Sequence, residues 1–93
     1  MIRRIKMEWK DITTYSQSFA ERIPDEWEMR TGLFRICVHR HVNYSPNIWL
    51  LTCEPFFYRK ELPRKDIAKA KTCAIALVMR KLLETFRKLE KVA

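Results

Sequence analysis

Apolar and polar residues alternate through Ile5-Lys6-Met7-Glu8-Trp9, the period-2 pattern of a half-buried strand. The next stretch supports two readings. Ile12, Tyr15, Phe19 and Ile23 recur at helical spacing, while Ile12-Thr13-Thr14-Tyr15 is rich in β-branched and aromatic residues. The favoured reading is strand through Tyr15 and an open, charged loop over 16–25, with a short helix there as the alternative. Residues 27–30 and 33–42 flank Thr31-Gly32 and predict a hairpin. In its second arm Phe34, Ile36 and Val38 share one side; Arg35, Cys37, His39 and His41 share the other. Asn43-Tyr44-Ser45-Pro46-Asn47 is a turn cluster. Residues 48–53 form an almost unbroken apolar run, which predicts a central strand. Residues 54–63 read as a connection carrying Phe56, Phe57 and Tyr58.

Residues 64–91 contain no Gly or Pro and many good helix formers, so they predict a helix of ~40 Å. It has two apolar stripes. Ile67, Ala70, Ala74, Leu77 and Val78 suit close packing on a sheet. Ile75, Met79, Leu82, Phe86, Leu89 and Ala93 are spaced 4-3-4-3-4, the seam of a helix that meets another helix. One wide apolar face curving over the sheet is the competing reading of that seam.

These elements predict an α+β fold over residues 1–93 as a single domain. An antiparallel sheet of three or four strands packs one face on one long C-terminal helix. The expected core is Trp9, Phe34, Ile36, Val38, Trp49, Leu51, Ile67, Ala70, Ala74 and Leu77.

Composition narrows the class. The chain has 93 residues, of which 47% are hydrophobic and 12% aromatic, too many for a disordered chain. Its longest apolar run, Cys73 to Met79, is far short of the ~20 residues of a membrane span. No apolar stretch follows the basic residues near Met1, so no secretory leader is expected. Three cysteines, Cys37, Cys53 and Cys73, do not make a disulfide framework, and reduced thiols in a cytoplasmic protein are expected, with a Cys37–Cys53 bridge as the alternative. The net charge is +8. Residues 1–58 hold eight basic and seven acidic residues; residues 59–93 hold eleven and four. Almost all the excess is therefore C-terminal.

Catalytic and cofactor chemistry find little support. Cys37, His39 and His41, with Cys53 on the next strand, are zinc-type ligands, but positions four apart on a strand lie ~13 Å apart. Cys37 beside His39 lacks an orienting carboxylate, and a single glycine leaves little scope for an oxyanion loop. No phosphate-cradling motif is present. Glu21, Asp25, Glu26 and Glu28 read as solvated surface charge, or as a counter-patch to a basic partner. No catalytic residue, metal or cofactor is expected, and the chain is not expected to be an enzyme.

Arg59, Lys60, Arg64, Lys65, Lys69 and Lys71 gather before and within the start of the helix. Cations there oppose the helix dipole, so a phosphate or an acidic partner would suit them. Tyr44, Phe57 and Tyr58 would stack on bases if exposed.

Two resemblances follow from these residues. Lys65-Asp-Ile-Ala-Lys-Ala-Lys and the alanine-rich stretch after it are similar to the last helix of double-stranded RNA-binding domains. That resemblance implies phosphate contacts by Lys65 and Lys69. It departs from the family in having no clear first helix, and Arg59-Lys60-Glu61-Leu62-Pro63 stands where the family has glycines. More broadly, Trp9, Ile12, Tyr15, Pro24, Trp27, Glu28, the run Arg35-Ile36-Cys37-Val38-His39-Arg40, Trp49, Cys53 and Ala70 resemble small uncharacterised phage and prophage proteins with a β-β-β-α layout. This implies an origin and a fold, and no residue roles. Such proteins often inhibit a host machine, for example a CRISPR or transcription complex.

The functional expectation is a non-catalytic phage-type protein that binds and blocks a host protein or nucleoprotein. The alternative is a small basic module binding DNA or RNA through the loop and helix start. Met79, Leu82, Phe86 and Leu89 are the expected helix-partner seam, with a homodimer through the helix end as one use of it.

Overall fold

The computed structural model describes residues 8–14, 24–32, 34–41, 43–45 and 47–92. Five strands form one antiparallel sheet in sequence order: β1 (Lys10–Asp11), β2 (Glu26–Thr31), β3 (Phe34–His39), β4 (Trp49–Cys53) and β5 (Phe57–Leu62). One helix follows, α1 (Ile67–Val92). The fold is α+β as expected, with five strands where three or four were anticipated. The predicted alternation at Ile5 to Met7, the segment 15–23 and Ala93 lie outside the described residues.

The β2–β3 hairpin turns at Gly32, whose φ of 52° is a left-handed value that glycine adopts without steric cost. β3 stops at His39, short of the expected Val42. The register pairs Trp27 with Val38 and Met29 with Ile36, and Val38 in turn with Leu51. These residues and Trp49 lie on the helix side of the sheet. The expected strand through Tyr15 shortens to Lys10–Asp11. Beyond it the chain is held by single bonds: the Ile12 N–H donates to the Glu26 carbonyl at 2.9 Å. The Thr13 hydroxyl accepts from the N–H groups of Asp25 and Glu26 at 3.0 and 3.1 Å.

β5 occupies what the sequence suggested was a connection. Phe57 and Leu62 both turn toward the core, although five positions apart they would leave a regular strand on opposite faces. A bulge reconciles them. Leu51 pairs with Lys60 but Cys53 pairs with Phe57, so Tyr58 and Arg59 together oppose Thr52. Arg59 takes φ of 49° there, and its N–H donates to the Thr52 hydroxyl at 3.2 Å.

The core lies between sheet and helix: Ile36, Val38, Trp49, Leu51, Cys53, Leu62, Ala70, Ala74 and Val78 are buried. Six of the ten expected core residues are among them. Trp9, Phe34, Ile67 and Leu77 pack partly buried at its edge. Cys53, Leu62 and Val78 complete it. Ala70 and Ala74, with no accessible surface, let the helix backbone approach the sheet closely. Phe56 joins this edge, its ring 5.4 Å from that of Phe34.

Candidate interaction surfaces

The helix start is anchored from the sheet. The Trp49 indole N–H donates to the Lys65 carbonyl at 3.0 Å, and the Asp66 carbonyl accepts the Ala70 N–H at 2.8 Å. The first helical turn carries no acidic residue. An open groove of about 680 Å³ runs along the solvent side, lined by Arg64, Asp66, Lys69, Thr72 and Cys73 among others.

The expected basic cluster divides. Lys60, Arg64, Lys65 and Lys69 are exposed. Arg59 is half-buried, its guanidinium 5.0 Å from the Tyr58 ring centroid. Lys71 leaves the other side of the helix and covers the sheet. Its Nζ lies 3.4 Å from the centroid of Trp27 and 5.7 Å from that of Trp9. Burial pushes the Lys71 ammonium below its ordinary value, and Asp11 partly restores it. Lys71 therefore does not belong with Lys69.

The structure replaces it with residues the sequence reading passed over. At 3.6 residues per turn, Lys69, Arg80, Arg87 and Lys91 fall within about 40° of one another around the helix. All four are exposed, and they form a ridge about 33 Å long at 1.5 Å per residue. Their 11-7-4 spacing was visible in the sequence.

The seam residues form a second exposed face. Met79 is 64% exposed, Phe86 59% and Leu89 61%; Leu82 is half-buried against the core edge. Leu83 at 51% and Val92 at 81% widen the strip. The last buried helix residue is Val78, so residues 83–92 overhang the sheet by about 15 Å. The radius of gyration is accordingly 15.4 Å, against about 12 Å for a compact chain of this length. Met79, Phe86 and Leu89 are therefore not covered by the sheet.

The sheet face away from the helix is only partly open to solvent, with Arg30 and Arg35 exposed on it. Glu28, Cys37 and Leu50 are buried there. Glu28 accepts from Arg35 and, at 3.2 Å, from Arg30. The Arg35 guanidinium holds the Glu28 carboxyl below its ordinary range against the effect of burial, and Glu28 in turn raises Arg35. Glu28 is thus a carboxylate shielded on the sheet surface by two exposed arginines. Asp25 remains exposed, and Glu21 lies outside the described residues.

Cys37 pairs in register with Thr52, so Cys37 and Cys53 point to opposite faces of the sheet. Both are free, as is Cys73. Neither a Cys37–Cys53 bridge nor a zinc site joining them is compatible with that placement. Among the described residues, no three His, Cys, Asp or Glu side chains are grouped to hold a metal. Burial raises the Cys37 thiol, which disfavours a thiolate nucleophile. Burial lowers His39. The His39 Nδ1 lies 3.3 Å from the Arg40 carbonyl and Nε2 2.8 Å from the Thr52 hydroxyl, which fits a neutral ring donating through Nδ1. The ring nitrogen of His41 accepts the Asn43 N–H at 3.1 Å. Of the candidate stacking residues, Tyr58 is exposed, Phe57 packs on the core, and Tyr44 is half-buried with its ring edge-on to His41.

Among the described residues, no helix is long and apolar enough to cross a membrane. Compared with models of known protein families, with curated proteins and with solved structures, the chain shows no significant match.

Proposed function

We propose that the chain is a non-catalytic, phage-type interaction protein that binds and blocks a host macromolecular machine, laying the basic face of α1 on an acidic surface of it. The observation that carries this reading is the ridge of Lys69, Arg80, Arg87 and Lys91 on one exposed side of the helix. Four cations in line over about 33 Å match an extended acidic partner better than a small anion. The raised Cys37 thiol and the neutral, hydrogen-bonded His39 support a non-catalytic role. The resemblance to small phage proteins supports the origin and the blocking role.

A second reading is direct binding of DNA or RNA, favoured by exposed Lys65 and Lys69 at the positive end of the helix dipole. One experiment separates the two. The chain and its Lys69→Glu/Arg80→Glu/Arg87→Glu variant are passed over host lysate and, separately, titrated with duplex DNA, duplex RNA and single strands across a salt series. A stoichiometric protein or nucleoprotein partner held by the parent and lost by the variant supports the blocking role. Submicromolar, steeply salt-dependent nucleic-acid binding without a protein partner selects the second reading. A partner or nucleic acid bound equally by the variant would remove the ridge from consideration.

A further inference from the structure

We infer that the overhanging end of α1 is the interface between two copies of this chain, paired as antiparallel helices. The inference uses the apolar strip and not the basic ridge, which lies about a third of a turn away around the helix.

Area is the first argument. Met79, Leu83, Phe86 and Leu89 are each more than half exposed. Side chains of this size leave about 500 Å² of apolar surface uncovered per chain, the upper range for a monomer's largest patch. Two copies would bury about 1,000 Å², the lower limit for a specific interface. A weak dimer, with Kd in the micromolar range, is the expectation.

Charge placement is the second argument, and it selects the occupant. In the heptad set by Met79, Leu82, Phe86 and Leu89, the cations Arg80, Lys81, Arg87, Lys88 and Lys91 all take outer positions. None flanks the seam. An antiparallel register sets Phe86 against Leu82 of the second copy and Met79 against its Leu89. Leu83 then meets its own symmetry copy on one flank, and Thr85 meets its own on the other. An isologous two-fold contact therefore brings no like charges together at its edges. The antiparallel sense also opposes the two helix dipoles and places the two sheets at opposite ends of the pair.

A charge-driven partner and a second copy respond oppositely to salt. Residues 79–92 carry five cations and two anions, so two such helices repel at long range. Screening that repulsion tightens the dimer, whereas screening weakens an acidic partner's grip.

The test is sedimentation equilibrium of the full chain from about 1 to 200 µM at low and high salt, a span covering a micromolar Kd. The expected result is a monomer–dimer equilibrium that tightens with salt. Phe86→Glu and Leu89→Glu should each weaken it at least tenfold while leaving the thermal unfolding of the monomer unchanged, since both side chains lie outside the core. Orientation is read in a Cys73→Ser background. Mixed Met79→Cys and Leu89→Cys chains should cross-link to each other in preference to themselves. A monomer throughout the range overturns the inference. So does a dimer that survives both glutamates or loosens with salt, and self-cross-linking at Met79→Cys alone overturns the antiparallel arrangement.

Discussion

The Trp49 indole donates its N–H to the Lys65 carbonyl at 3.0 Å, so a buried residue of the fourth strand fixes the backbone on which the exposed cations of the helix start are mounted. Trp49 also lies 4.3 Å beneath the Arg40 guanidinium. Replacing Trp49 by Phe keeps most of the apolar body and removes the bond. The expected loss is about 1–2 kcal/mol, from a net hydrogen bond plus some lost contact. Trp49→Ala should cost about 3–5 kcal/mol. Urea unfolding of both variants gives the comparison; a Trp49→Phe variant as stable as the parent would mean that the bond contributes nothing.

The three thiols should differ in reactivity. Cys37 and Cys53 are buried and burial raises both, while Cys73 is half-buried beside the groove at the helix start. Thiolate formation and access together govern the rate. A disulfide reagent under native conditions should therefore modify one thiol quickly and two only as the chain unfolds. Mass mapping should place the fast adduct on Cys73. Fast modification of Cys53 would contradict its position under the helix.

These packing relations show how far the chain could be read in advance. The hairpin, the apolar run of β4 and the long helix were legible because their hydrophobic periods are regular. β5 was hidden because a bulge at Arg59 changes its parity between Phe57 and Leu62. The burial of Cys37 and Glu28 was hidden because Arg35, His39 and Glu28 mark that face as polar; Glu28 is paired with Arg35 and Arg30, and His39 with the Thr52 hydroxyl. The basic cluster was legible from composition, although Lys71 stands apart from Lys69 on the helix. Lys69 and Lys71 are two apart, and helical residues at that spacing do not face each other. The 11-7-4 spacing that links Lys69 to Arg80, Arg87 and Lys91 needed the exposed length of the helix to give it meaning.

Stability should respond to pH through His39. Its folded pKa lies below the usual 6.5 because burial penalises the cation, outweighing the Arg40 carbonyl and nearby Glu26; Arg59 and His41 add to the depression. The unfolded chain thus takes up the proton first. Stability is fully present above about pH 6.5 and is lost as the pH falls from there through the folded value. Glu28 is also depressed, so its contribution is present above about 4.5 and fades only below that. The two windows separate. Urea midpoints between pH 5 and 7 should fall with acid, and His39→Gln should flatten that slope. An unchanged slope in the variant would assign the dependence to another group.

Lys71 should stabilise the fold through its stem more than through its charge. The side chain reaches across Trp27, with Nζ 3.4 Å from the ring centroid, while burial disfavours the ammonium it carries. Lys71→Met preserves the cover and removes the charge, so its stability should stay within about 1 kcal/mol of the parent. Lys71→Ala uncovers the indole and should lose about 1 kcal/mol or more, with a red-shifted tryptophan emission. If Met costs as much as Ala, the cation over the ring is the larger contribution.

Ala70 and Ala74 are without accessible surface and share one core cluster with Val38 and Leu51, which have none either. A larger side chain at Ala74 has no void to enter and must lift the helix or displace the strand beneath it. Ala74→Leu should therefore destabilise by about 1–3 kcal/mol, although leucine is a good helix former and more apolar than alanine. Ala76→Leu, on the exposed side two residues on, provides the control. It carries the same change in propensity and should leave the urea midpoint almost unmoved. A tolerated leucine at 74 would mean that the helix rides higher on the sheet than the burial of these alanines indicates.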